Sequence, residues 1–170
     1  MSGHMDKDQI EEFLKSQVVG RLGCTDGEKV YVVPITFAYD NGCIYGHTKD
    51  GLKIRMMRKN PTVCFETDWV EDLSNWKSVI AYGTYEELDK SEANKGLDIL
   101  MNNVMSTLEK KNTSSRSQTN EGFGELKRIA FEHSFLSPFT HSANKEISDI
   151  VVYRIRISEM TGKFGNNEVM

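Results

Sequence analysis

Val19 to Lys53 reads VGRLGCTDGEKVYVVPITFAYDNGCIYGHTKDGLK, and its punctuation decides the fold. Asp26-Gly27 and Asn41-Gly42 are hairpin signals, each flanked by β-branched and aromatic residues that suit a pleated, half-buried surface. The stretch therefore predicts three antiparallel strands, at about Val18 to Cys24, Val30 to Tyr39 and Cys43 to Thr48. After Thr48 the period changes. Leu52, Met56 and Met57 fall on one helical face, with Asp50 as the expected N-cap and Pro61 as the stop.

The corner between third strand and helix is polar. A helix start with unpaired N–H groups, the Thr48 hydroxyl and the Lys53 ammonium together make a candidate anion site. An ordinary strand-to-helix connection with a solvated lysine explains the same residues. Pro34 breaks a local rule inside the second strand, because it cannot donate to a ladder. It belongs at an edge, a bulge, or a place where something other than a strand approaches.

Working outward, Asp6 to Gln17 reads as an opening helix with Ile10, Phe13 and Leu14 on one face. Pro61 to Asp68 reads as a fourth strand and Trp76 to Leu88 as a fifth, with a polar loop at Val70 to Asn75. Ser91 to Lys110 carries a helical stripe of Leu97, Leu100, Met101, Val104, Met105 and Leu108, the signature of core or subunit contact. Residues 111–124 are polar and aperiodic and are expected to form a mobile surface loop. Ile150 to Ile157 alternates cleanly as the last strand. Consecutive strands with appended helices, without βαβ alternation, make the chain mainly β and argue for a closed antiparallel barrel.

Composition bounds the function. The chain has 170 residues, 38% of them apolar, with 13 glycines and a net charge of −4. This is ordinary globular usage for one domain, expected over residues 6–165, with no basic footprint for nucleic acid. No apolar run has the length of a membrane span and no signal-peptide core is visible, so a cytoplasmic protein without membrane contact is expected. Cys24, Cys43 and Cys64 are too widely spaced for a zinc ribbon or a redox pair. They read as buried thiols in a reduced compartment, with no metal site. Residues 1–5, with Ser2-Gly3-His4-Met5, look like a cloning remnant and carry no functional weight.

The order of motifs resembles the FMN-binding split-barrel superfamily, nearest the pyridoxamine 5'-phosphate oxidase-like branch that includes the nitroimidazole-resistance proteins. The residues that carry the resemblance are Val19-Gly20-Arg21-Leu22, Tyr31 to Phe37, Ile44 to Thr48, Gly51-Leu52-Lys53, Arg58 to Glu66, Trp76 to Val79 with Gly83, and Thr161-Gly162-Lys163. The resemblance implies an antiparallel split β-barrel with Val33, Pro34, Ile35 and Thr36 lining a flavin ring. It implies phosphate contacts from His47, Thr48 and Lys53, and further contacts from Trp76, Ser78 and Val79, around the ring or from a partner subunit. His47 is the candidate catalytic residue, as an orienting group or proton donor; a surface or hydrogen-bonded histidine is the plainer reading.

The implied activity is an FMN-dependent oxidoreductase, working as a homodimer. Electrons would pass from a nicotinamide or other small donor to a flat small-molecule acceptor such as a nitroaromatic. Vitamin B6 oxidation fits less well, since the arginine-bearing carboxy-terminal motif of that activity is absent from the run Glu159 to Phe164. Leu52 departs from the pattern: relatives commonly place an arginine before the lysine, and lysine does not replace its bidentate donor. Arg55, Arg58 or a partner's basic group are the candidates to compensate. The alternative is a non-catalytic flavin- or haem-binding split barrel, with His47, His133 or His141 as haem ligands, or a cofactor-free interaction domain.

Overall fold

The computed structural model describes residues 2–114 and 150–166. Its elements are β1 (Ser2–Met5), α1 (Lys7–Ser16), β2 (Val19–Thr25), β3 (Val30–Thr36), β4 (Ala38–Asp40), β5 (Cys43–Lys49), α2 (Leu52–Lys59), β6 (Thr62–Val70), β7 (Trp76–Glu87), α3 (Lys90–Ser114) and β8 (Ile150–Gly165). The strands form one antiparallel sheet in the order β3-β2-β6-β7-β8-β5-β4, with β1 added to β8. β3 and β4, at opposite ends of that path, are separated in the chain by Phe37 alone. The sheet must curl to bring its ends together, which gives the split barrel.

This corrects the expectation of one strand from Val30 to Tyr39. Phe37 turns out of the ladder, its N–H donates to the Val18 carbonyl at 2.9 Å, and the chain changes pairing partner from β2 to β5. Its fully buried ring meets Phe65 edge-on, with centroids 4.7 Å apart. Pro34 sits on β3, paired on one side only, so its missing N–H breaks no second ladder. Both hairpin turns follow their sequence: Gly27 has φ +95°, and Asn41 and Gly42 have φ +45° and +77°, the left-handed pair of a type I′ turn.

The last strand is longer than its alternation indicates. Tyr82 pairs with Glu159 and Gly83 with Ile157, which leaves Ser158 as an extra residue; its hydroxyl donates to the Tyr82 carbonyl at 3.1 Å. Such a bulge reverses which positions face inward. Tyr153 and Ile155 point to the core before it, and Met160 and buried Gly162 after it. The expected stop at Ile157 is therefore a parity change within one strand.

Ser2–Met5, read as a remnant, forms β1, in register with Gly162 to Gly165. Helix α1 starts on a capping box, in which the Asp6 carboxylate accepts from Gln9 N–H and the Gln9 side chain accepts from Asp6 N–H, both at 2.9 Å. Ile10, Phe13 and Leu14 bury against the barrel core. Helix α3 covers the other side, with Leu100 and Val104 packed on Val18 and Ala38. It extends past Lys110 to Ser114, so the start of the expected 111–124 loop is helical; the remainder of that loop, His133 and His141 lie outside the described residues. Among the described residues, no helix is long and apolar enough to cross a membrane.

Candidate functional site

The polar corner lies at one end of the barrel. Strand alternation turns Gly46 and Thr48 inward, opposite Tyr153 and Val151, and α2 follows two residues after β5. The N-cap of α2 is Gly51 rather than Asp50, with no side-chain hydrogen bond and no acidic residue in the first turn. Asp50 is drawn away because its carboxylate accepts from Arg58 Nη1 at 2.6 Å. Among the described residues, the amides that open α2 are thus left without a side-chain acceptor, and no acidic residue of the first turn opposes their partial positive charge.

Lys53 stands in that first turn. Its Nζ donates to Thr48 Oγ1 at 2.8 Å, and among the described residues no carboxylate pairs with it. Burial holds the Lys53 ammonium below the usual lysine range, partly offset by the nearby Cys24 thiol. The same burial pushes Cys24 up, with Lys53 pulling it back. A half-buried ammonium beside a hydroxyl and open helix amides is the donor set for an anion with several oxygens. Phosphate chemistry fits these residues.

The other expected site residues divide by face. His47 and Thr48 are neighbours on one strand and project to opposite sides. His47 is paired with Val152, and the Tyr45–Val152 face is the one α3 packs on, as the space around Gly96 shows. The expected shared phosphate contact of His47 and Thr48 is therefore divided by the sheet. Val33 and Ile35 point to the core, whereas exposed Pro34 and half-buried Thr36 point outward. Val79 is fully buried in the core, and Trp76 and Ser78 lie on the outward face of β7. Alternation thus withdraws the side chains of Ile35 and Val79 from an external ring. β2 and β6 lie between β3 and β7, so Thr36 and Ser78 stand three strand spacings apart, about 14 Å.

Of the two arginines put forward for the Leu52 departure, Arg58 is committed elsewhere. Its Nε and Nη2 donate to the two oxygens of Glu87 at 2.9 and 2.8 Å, and Glu87 also accepts from the Tyr85 hydroxyl at 3.0 Å. Arg55 is exposed and forms no ion pair among the described residues. Sequence reasoning missed the Asp50-Arg58-Glu87 network; the signal available was an acid just before the helix and an arginine in its last turn. It also missed the outward cluster in which Arg21 Nη1 donates to Glu66 at 3.2 Å and to Asp68 at 2.5 Å, directly across from Pro34. Burial raises Glu66, Asp68 adds to the rise, and Arg21 opposes it.

A curled antiparallel sheet with appended helices defines a split barrel. The chain belongs to the pyridoxamine 5'-phosphate oxidase family, whose profile matches residues 6–134. An uncharacterized protein of Rhizobium meliloti is 32% identical over 88 residues, covering 52% of this chain and 58% of that relative's length. Among solved structures, an FAD-binding protein of Mesorhizobium loti superposes with a TM-score of 0.67 at 23% identity, covering 98% of both chains. A candidate 5-nitroimidazole antibiotic resistance protein of Bacteroides thetaiotaomicron gives 0.62 at 23% identity, covering 97% of this chain and 89% of its own. The fold is therefore that of the flavin-binding split barrels.

Proposed function

We propose that this chain is an FMN-dependent oxidoreductase that acts as a homodimer, taking electrons from a nicotinamide or other small donor and passing them to a flat oxidised acceptor such as a nitroimidazole. The observation that carries the reading is Lys53: a half-buried ammonium at an uncapped helix start, hydrogen-bonded to Thr48 and without a carboxylate partner among the described residues. Lys53, the Thr48 hydroxyl and the first amides of α2 hold the phosphate and offset its desolvation. FMN, when bound, supplies the electron-transfer chemistry that no side chain of this site provides.

Pro34 and Thr36 present the outward face of an edge strand to the ring. Ser78 is about 14 Å from Thr36 across the sheet of the same chain and Trp76 lies farther along β7, so they meet the ring of a second copy in this reading. The outward face is apolar enough to be covered by that copy: Val32 is 61% exposed, Tyr82 47% and Ile80 37%. His47, on the α3 side, takes no part in phosphate binding here. Its proposed catalytic part would have to be played from that side of β5.

The absorbance spectrum of the purified protein, repeated on the supernatant after heat denaturation, tests the reading. A released two-banded flavin spectrum supports it. A colourless protein that takes up no added FMN refutes it, and a single intense haem band replaces it with the haem-binding alternative. Reduced holoprotein mixed anaerobically with a nitroimidazole should be reoxidised faster than free reduced FMN; an equal rate would sink the reductase assignment while leaving flavin binding intact.

A further inference from the structure

We infer that Arg58 is a positioning residue for the phosphate cradle, acting through α2 on Lys53 and the helix amides; the inference rests on the phosphate reading above. Helix α2 has eight residues, too few to hold itself, and its N-cap supplies no side-chain bond. Ile54, Met56 and Met57 bury its apolar side. That side fixes which face is inward and leaves the entry loop to be located by polar contacts.

Arg58 supplies them. Side chains on a helix lean toward its N-terminus, so a long side chain in the last turn reaches back along the helix. Arg58 spans from the final turn to Asp50, the residue before the cap, with Nη1 on its carboxylate at 2.6 Å. The other edge of the guanidinium forks onto Glu87 at 2.8 and 2.9 Å. Glu87 ends β7, the strand paired with β6 as far as Thr84 and with β8 through Glu87 itself, and is held in turn by the Tyr85 hydroxyl. The start of α2 is thereby referenced to a strand inside the sheet. The network is partly exposed, 42% at Arg58, 49% at Asp50 and 39% at Glu87, so its effect on global stability is small. What it fixes is the place of the loop that presents Lys53.

Asp50 separates this role from simple charge. As a carboxylate next to an anion site it repels phosphate, so neutralising it should tighten binding if only electrostatics matter. If it anchors the clamp, neutralising it should loosen binding. The experiment is titration of wild-type, Asp50→Asn, Arg58→Gln and Arg58→Lys protein with FMN and with riboflavin, which lacks the phosphate. Asp50→Asn and Arg58→Gln are expected to raise the FMN dissociation constant about fivefold, the size typical of a coupled contact network, with riboflavin affinity unchanged. Arg58→Lys keeps the charge without the fork and is expected to fall between.

Asp50→Asn binding FMN as tightly as wild type, or more tightly, would overturn the inference, as would equal losses for FMN and riboflavin. If Arg58→Gln fails to fold, Asp50→Asn decides alone, being a nearly isosteric exchange at an exposed site. A wild-type protein that binds FMN no better than riboflavin would instead refute the phosphate reading itself.

Discussion

Tyr85 and Tyr153 lie side by side, ring centroids 5.5 Å apart, and the same deletion of one oxygen should change stability in opposite directions at the two. The Tyr153 side chain is fully buried and its hydroxyl has no hydrogen-bond partner among the described residues. A buried hydroxyl left unpaired costs about 1–3 kcal/mol. Tyr153→Phe removes that cost and leaves a void smaller than a methyl group beside Gly46, worth well under ~1 kcal/mol. The expected outcome is a gain of about 1–2 kcal/mol, or roughly 3–6 °C in Tm for a chain of this size.

Tyr85 gives the contrast. Its hydroxyl donates to Glu87 at 3.0 Å, so Tyr85→Phe should cost about 1 kcal/mol, a charged bond reduced by the exposure of its acceptor. Urea denaturation of both variants reads the difference as a shift in midpoint at constant slope. A Tyr153→Phe protein less stable than wild type by about 1 kcal/mol would refute the reasoning, and would mean that a buried water completes the hydroxyl.

Lys53→Met should raise the FMN dissociation constant at least about tenfold, the value of a charge-assisted bond, while making the apoprotein more stable at neutral pH. Because burial lowers the Lys53 pKa in the folded state, the unfolded chain binds the extra proton. Wild-type stability should therefore rise with pH toward the ordinary lysine range, and Lys53→Met should lack that increment in denaturation curves taken across alkaline pH. Gly20→Ala drives a Cβ into the Phe65 ring and to 2.7 Å from the Glu66 carbonyl oxygen, and is expected to cost about 1–3 kcal/mol in chemical denaturation. Ile80→Lys on the outward face should convert the proposed homodimer to a monomer in light scattering, with the melting of each subunit little changed.

The strands and turns were legible because their signals are local. Asp26-Gly27 and Asn41-Gly42 dictate their own backbone, and Asp6 with Gln9 marks the first helix. Phe37 was not legible: nothing in VVPITFAY distinguishes one long strand from two that change partners, because the switch is set where Phe37 N–H meets the carbonyl of Val18, well back in the chain. The bulge at Ser158 hid in the same way, since a parity change looks like the end of a strand. Lys53 and Thr48 were found as a pair because both lie in one short segment. Their separation from His47, and of Pro34 from Ile35, follows from alternation that the motif reading passed over.

Among the described residues, β8 is the last strand in chain order and the one that joins three others. β8 pairs with β7 along most of its length, with β5 through Ile150 to Arg156 and with β1 through Gly162 to Gly165. Until that strand leaves the ribosome, β5 and β7 each expose a row of unpaired backbone groups, and the barrel cannot close. A nascent chain stalled before residue 150 is therefore an aggregation hazard, and the barrel closes only once β8 has been made.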